Sequence, residues 1–205
     1  MIASLLCAAV VCAAAMTVLG MVVARRPPGA LDVAGYALRG RGVAIAKAFT
    51  LLGYSPPLFV LSAVAITVAV VVHGGRPAIA TLLVTQALSQ SATTVVKLGF
   101  RRPRQTTWVG IHEPDMSFPS GHTATAVVFF AGFAILALHA PLAPWADAAI
   151  AVLLFICAVA IPWSRLALGA HYVTDIAGGA LFGAAWLCAA FAAIAALYGN
   201  AHRAL

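Results

Sequence analysis

Residues 164–198 read "SRLALGAHYVTDIAGGALFGAAWLCAAFAAIAALY". The second half is a run of Ala, Leu, Phe and Gly long enough to cross a bilayer, which takes about 20 mostly apolar residues. The first half carries Arg165, His171 and Asp175. Ionisable groups beside a span are tolerated where they find partners or serve a site. An apolar helix that begins on a charged cluster points to a membrane bundle with its polar groups gathered at helix ends.

Composition agrees along the whole chain. Of 205 residues, 63% are hydrophobic and only 8% charged, and the mean hydropathy is +1.03. A soluble domain carries about 25% charged residues, so this chain lacks the polar surface to face water. The formal net charge is +7, from twelve Lys+Arg and five Asp+Glu. In a soluble protein that excess would suggest nucleic acid. Here it is ascribed to anionic membrane lipids or a phosphate-bearing substrate, and no nucleic-acid partner is expected. Cys7, Cys12, Cys157 and Cys188 lie in apolar runs with no C-x-x-C pair, and are read as small buried hydrophobes.

The fold expected is all-α: a polytopic membrane bundle of six transmembrane helices. Apolar runs at roughly 2–24, 52–73, 77–97, 120–140, 145–163 and 172–198 supply the spans. The first lacks a basic stretch ahead of it and is long for a cleaved signal, so it is read as a retained span. The third carries Gln86, Ser89, Gln90, Ser91, Thr93 and Thr94, which should face the bundle interior. The last carries Gly178, Gly179 and Gly183, which suit close helix packing. After the first span, Arg25, Arg26, Arg39, Arg41 and Lys47 interleave with apolar residues, predicting short interfacial helices that meet headgroups. Residues 98–119 and 164–171 read as polar connections. Residues 73–77 and 139–147 read as plain tight ones. With no repeat and no Gly/Ser-rich linker, residues 1–205 are expected to form a single membrane-embedded domain.

Polar residues concentrate in "KLGFRRPRQ" (97–105), "SFPSGHT" (117–123) and residues 164–175. Alternating spans bring these clusters to one membrane face, as a site requires. Lys97, Arg101, Arg102, Arg104 and Arg165 offer cations, and the arginine fork suits phosphate oxygens. Ser120 and Gly121 begin a helix whose free N–H groups favour an anion. His171 precedes Asp175 by four positions, one helical turn. A carboxylate on one ring nitrogen leaves the other free to act as nucleophile or base. His122, two residues after Ser120, can serve as the acid. Each feature has a bland alternative: a solvated histidine, a lipid anchor, a helix cap. Those alternatives do not account for all three coinciding.

These stretches closely resemble the three signature motifs of the type 2 phosphatidic acid phosphatase family. That family includes bacterial phosphatidylglycerophosphate and undecaprenyl-diphosphate phosphatases, and vanadium haloperoxidases share its phosphate or vanadate site. P-S-G-H is met by Pro119 to His122, and S-R-x5-H-x3-D by Ser164, Arg165, His171 and Asp175. K-x6-R-P is met at Lys97 and Arg104, with Gln105 where proline is expected. The resemblance covers about residues 90–185. It implies that His171 attacks phosphorus to form a phosphohistidine, with Asp175 orienting it. It implies that His122 protonates the leaving alkoxide, and that Lys97, Arg104, Arg165, Ser120 and the Gly121 amide hold the phosphoryl oxygens. It implies no cofactor and no metal, and a lipid phosphate or isoprenoid diphosphate as substrate. It also implies a multi-pass cell-membrane protein with the active site on the extracytoplasmic face. A count of Lys and Arg opposes that orientation.

Arg101 and Arg102 are left between phosphate site and headgroups. Glu113, Asp115 and His112 read as solvated loop groups, and His73, His139 and His202 as lying on the opposite face. The rival functions are a vanadate-dependent peroxidase and a non-catalytic carrier of an anion or a lipid phosphate.

Overall fold

The structure, a computed structural model, describes residues 1–72, 74–105, 113, 115–140 and 142–198. Its elements are helical: α1 (Ile2–Val23), α2 (Ala30–Gly35), α3 (Val43–Leu51), α4 (Ser55–Val72), α5 (Arg76–Phe100), α6 (Gly121–Ala137), α7 (Pro144–Ala167) and α8 (Val173–Tyr198). Helices α1, α5, α7 and α8 are each long and apolar enough to cross a membrane. Helices α3 and α4 meet that test as a pair bent by 58°, and α6 is a shorter apolar helix.

The outside of the bundle is greasy. Val10, Met21, Phe59, Val71, Val95, Leu153 and Phe155 are all exposed. Such a surface suits lipid, with every helix satisfying its own backbone. Polar side chains turn inward. On α5, Leu82, Thr85, Gln86, Ser89, Thr93 and Lys97 recur every three or four residues and are buried, while Ser91 and Thr94 of the same run are exposed. The expectation for this span therefore holds on one helical face only. The cysteine expectation needs a similar correction. Cys157 is buried, but Cys7 is exposed and Cys12 and Cys188 are half-buried, because the outward face of a membrane helix accepts a small apolar thiol equally well.

Close packing fixes where the helix ends lie. A side chain at Gly179 would put its Cβ 2.4 Å from the Ser120 carbonyl oxygen, and one at Gly178 would sit 2.3 Å from the Phe118 ring. The start of α8 therefore presses directly on the start of α6. The Ser120 N–H donates to the Asp175 carbonyl at 3.0 Å. Leu82, Phe129, Phe130, Phe133, Cys157 and Ile161 fill the core beyond. Within α6, Ala126–Ala131 forms a π-helical stretch, the kind of local widening often found beside functional groups.

Two connections are shorter than the sequence suggested. Helix α5 runs on to Phe100 and α7 to Ala167. Ser164 and Arg165 therefore sit in the last turn of a helix, not in a loop, where a cation also complements the helix dipole.

Candidate active site

The C-terminal ends of α5 and α7 and the N-terminal ends of α6 and α8 meet at one end of the bundle. Helix α5 stops where Arg101 takes a left-handed conformation (φ 54°). Arg101 stays exposed and donates to the Leu98 carbonyl, so it is outside the cluster. The next residues double back under the helix end. The Ser117 N–H donates to the Arg102 carbonyl at 2.9 Å and closes the base of the connection. Just beyond α7, Gly169 takes a left-handed conformation (φ 69°), and the chain passes through Ala170 and His171 into α8.

His171 is buried at the centre. Its Nδ1 lies 3.3 Å from Asp175 Oδ2 and its Nε2 lies 3.1 Å from Arg104 Nη1. With Nδ1–H donating to the carboxylate, Nε2 keeps its lone pair and accepts from the guanidinium. Burial first, then Arg104, Arg165 and Lys97, push this imidazole well below its ordinary range, with Glu113 opposing them. A neutral ring is the form that can attack.

Arg104, Arg165 and Lys97 face His122 as well as His171. The His122 ring packs edge-on to Tyr54, centroids 4.6 Å apart, and a Cβ at Gly53 would collide with it at 2.2 Å. His122 Nε2 and Arg165 Nε are buried with no hydrogen-bond partner among the described residues. A cavity of about 290 Å³ lies here, lined by Tyr54, Lys97, Glu113, Asp115, Gly121 and His122. Ser120 caps α6, accepting from the Thr123 N–H at 3.4 Å. It is fully buried and, like Arg104, Arg165 and His171, lies behind the cavity wall rather than in it. The sequence-predicted residues are thus brought together, with the Ser120 hydroxyl turned to its own helix.

The loop acids are not solvated charges. Glu113 bridges two arginines, Oε1 to Arg165 Nη2 at 2.6 Å and Oε2 to Arg104 Nη2 at 2.9 Å, and its side chain is only 16% exposed. Asp115 is half-exposed yet ion-paired with both Lys97 and Arg104. Burial raises the Glu113 pKa, but Arg165 and Arg104 outweigh it and hold the carboxyl below its usual range. Lys97 and Arg104 do the same for Asp115. The physical reason is simple: buried cations need counter-charge, and these carboxylates are within reach.

Thr50 and Tyr54 found no signal in the sequence. Arg165 Nη1 donates to Thr50 Oγ1 at 2.6 Å, and Tyr54 Oη donates to Glu113 at 3.0 Å. Gln105, in the place of the expected proline, donates from Nε2 to the His171 carbonyl at 2.8 Å and accepts from Arg39. Arg39, expected at headgroups, is half-buried and stacks on Tyr36. Arg102 is buried against Asp175 and Asp32. His139 is exposed near the end of α6 away from His122. His73, His112 and His202 lie outside the described residues, as do residues 106–111 of the connection.

The fold and site define a helical bundle with an apolar exterior, whose buried histidine–carboxylate pair sits beside converging cations. The PAP2 superfamily, the type 2 phosphatidic acid phosphatases, matches residues 78–198, and the chain belongs to it. It is 37% identical over 73 residues to a lipid A 1-phosphatase of Rhizobium johnstonii, covering 36% of this chain and 26% of that protein. It is 36% identical over 70 residues to phosphatidylglycerophosphatase B of Bacillus subtilis, covering 34% of each. The chain thus spans about a third or less of the length of these curated relatives. Its fold is that of a transmembrane PAP2-type phosphatidylglycerolphosphate phosphatase from Bacillus subtilis, known from a crystal structure. The TM-score is 0.73 at 20% identity, over 95% of this chain and 98% of that one.

Proposed function

We propose that the chain is a membrane phosphatase that hydrolyses a lipid phosphate monoester or an isoprenoid diphosphate through a phosphohistidine. In this reading it is one membrane-embedded domain over residues 1–205. Helices α1, α4, α5, α6, α7 and α8 are its six spans, with α2 at the membrane interface.

The observation that carries the reading is the cradle between Arg104, Arg165 and Lys97. Two carboxylates already occupy it as anions, and two buried polar atoms beside it, His122 Nε2 and Arg165 Nε, await a partner. A phosphoryl group brings three oxygens to such a set.

His171 Nε2 attacks phosphorus. A P–N bond forms as the P–O bond breaks, to the alcohol oxygen of a monoester or to the bridging oxygen of a diphosphate, and His122 gives its proton to the departing alkoxide or monophosphate. The bound phosphate supplies the negative charge that a protonated imidazole needs beside three cations. Asp175 holds Nδ1–H and keeps the tautomer productive. Water then attacks the phosphohistidine, His122 takes its proton, and phosphate leaves with His171 restored. Lys97, Arg104, Arg165 and the Gly121 amide stabilise the equatorial oxygens, the work that Mg²⁺ performs in other phosphotransferases. A lipid tail can stay in the bilayer while only the headgroup enters.

The test is phosphate release by the purified protein in detergent from phosphatidate, phosphatidylglycerophosphate, lipid A and polyprenyl diphosphate. Turnover of at least one, insensitive to EDTA and competitively inhibited by vanadate, is expected. Binding without turnover indicates a carrier. Bromide oxidation supported by vanadate indicates a peroxidase.

A further inference from the structure

Asp32 lies in α2, outside the residues that match the family, yet it is 1% exposed in the same buried cluster as the histidine. Its Oδ2 accepts from Arg102 Nη2 at 2.7 Å. Its Oδ1 accepts from the Thr174 N–H at 2.9 Å and the Thr174 hydroxyl at 2.8 Å. The same guanidinium donates from Nη1 to Asp175 Oδ1 at 2.6 Å and to Thr174 Oγ1 at 2.7 Å. The Tyr172 ring covers it, 4.3 Å from the guanidinium carbon to the centroid. Asp175 is thereby held from both sides. Arg102 takes Oδ1, while Oδ2 accepts from the Tyr172 N–H at 2.9 Å and faces His171 Nδ1 at 3.3 Å.

Charge decides what Asp32 adds. Arg102 beside Asp175 alone would be a neutral pair, and His171 would face an acceptor whose charge is largely cancelled. With Asp32 on the other side of Arg102, the chain Asp32–Arg102–Asp175 carries a net negative charge. That charge favours both a strong Nδ1–H bond and the positive imidazole that forms on phosphorylation. Docking a short helix does not call for this: a buried ionic triad is seldom more stabilising than apolar groups of the same volume.

We propose that Asp32 is a positioning residue for the phosphoryl transfer, acting on His171 through Arg102 and Asp175. The inference rests on the phosphohistidine reading above. The N-terminal segment is thus part of the catalytic machinery and not only an anchor.

The experiment compares wild type with Asp32→Asn and Asp32→Ser, each checked for folding by thermal melt. The first readout is steady-state kinetics with a lipid phosphate. We expect kcat to fall at least about tenfold, as for loss of a charge that acts mainly in the transition state, with KM within about twofold. The second needs no turnover: the downfield Nδ1–H resonance of His171, assigned by its loss in His171→Ala. It should move upfield in either variant as the acceptor weakens, and Asp32→Glu should restore part of the shift. A folded Asn or Ser variant with unchanged resonance and unchanged kcat overturns the proposal. A wild-type His171 carrying its proton on Nε2 overturns it without any variant. If wild type releases no phosphate from any lipid phosphate, the functional reading fails, and the resonance still reports on Asp32.

Discussion

Glu113 Oε1 sits 2.6 Å from Arg165 Nη2, on the guanidinium that the proposed mechanism gives to a phosphoryl oxygen. In that mechanism Glu113 competes with the substrate for the cradle. Glu113→Gln should tighten vanadate binding by about tenfold, the lower end of what one charge-assisted hydrogen bond is worth, because Asp115 still holds Arg104 and Lys97. Since the arginines outweigh burial and keep the Glu113 carboxyl below its usual range, it stays charged over the interval from about pH 8 to about pH 5. The gain should be constant over that interval. Vanadate inhibition of both forms at about pH 5 and 8 checks this, and weaker binding by the Gln variant would make Glu113 a ligand rather than a competitor.

His171→Ala should reduce turnover to background and leave no phosphoenzyme after acid-free quenching, since the nucleophile itself is gone. His122→Ala should slow turnover by about a hundredfold or more through loss of the general acid, and phosphoenzyme should still form slowly. Asp175→Asn can present an N–H to His171 Nδ1 and favours the wrong tautomer, so at least about a hundredfold loss is expected. Full activity in the Asn form would make Asp175 structural only.

The pH dependence follows from His171. Burial and then the neighbouring cations hold its pKa well below the usual ~6.5, so the ring is ready to attack at physiological pH. Its acid limb in kcat/KM should lie well below pH ~6.5. Stability has the same sign. The unfolded chain takes up a proton near pH ~6.5 that the folded ring refuses, so stability falls as pH drops from about 6.5 toward the folded value. Glu113 and Asp115, held below the usual carboxylate range, add a further loss only near pH ~4 and below. Thermal melts of wild type and His171→Ala in detergent test this. The wild type should lose more stability than the variant between about pH 7 and 5, and equal slopes would place the effect elsewhere.

The sequence displayed the parts of the site that carry local spacing. His171 and Asp175 are one turn apart, Ser120 and His122 open a helix, and Lys97 and Arg104 flank one short turn. All were legible as a cluster because alternating spans must return them to one end. Asp32 was not, because its partner Thr174 lies 142 residues away and a single aspartate in a basic segment has no pattern around it. Thr50 and Tyr54 were hidden for the same reason. Glu113 was misread because a loop carboxylate looks solvated until the buried arginines that need it are in view. Helix α6, shorter than the four helices of spanning length, and the α3–α4 bend mark where hydropathy alone blurs the span boundaries.

Orientation is where two physical arguments disagree, and the site's own ion pairs help decide between them. The site-bearing end holds Arg25, Arg26, Arg39, Arg41, Lys47, Lys97, Arg101, Arg102, Arg104 and Arg165, against Arg76 and Arg203 in the remainder of the sequence. Positive charges favour the cytoplasmic side, so a bare count puts the site in the cytoplasm. But Lys97, Arg102, Arg104 and Arg165 are ion-paired to carboxylates within the bundle, and Arg39 is bonded to Gln105. Those five are committed to the site and are weak topology signals. Arg25, Arg26, Arg41, Lys47 and Arg101 are exposed and still count. With the count at this end halved, the expectation carried by the family resemblance is preferred, and the site should face away from the cytoplasm. A reporter active only outside the cytoplasm, inserted in the 106–112 stretch, should give signal, and the same reporter at the C-terminus should give none. The reverse pattern would mean that the exposed cations dominate and the lipid is dephosphorylated on the cytoplasmic leaflet.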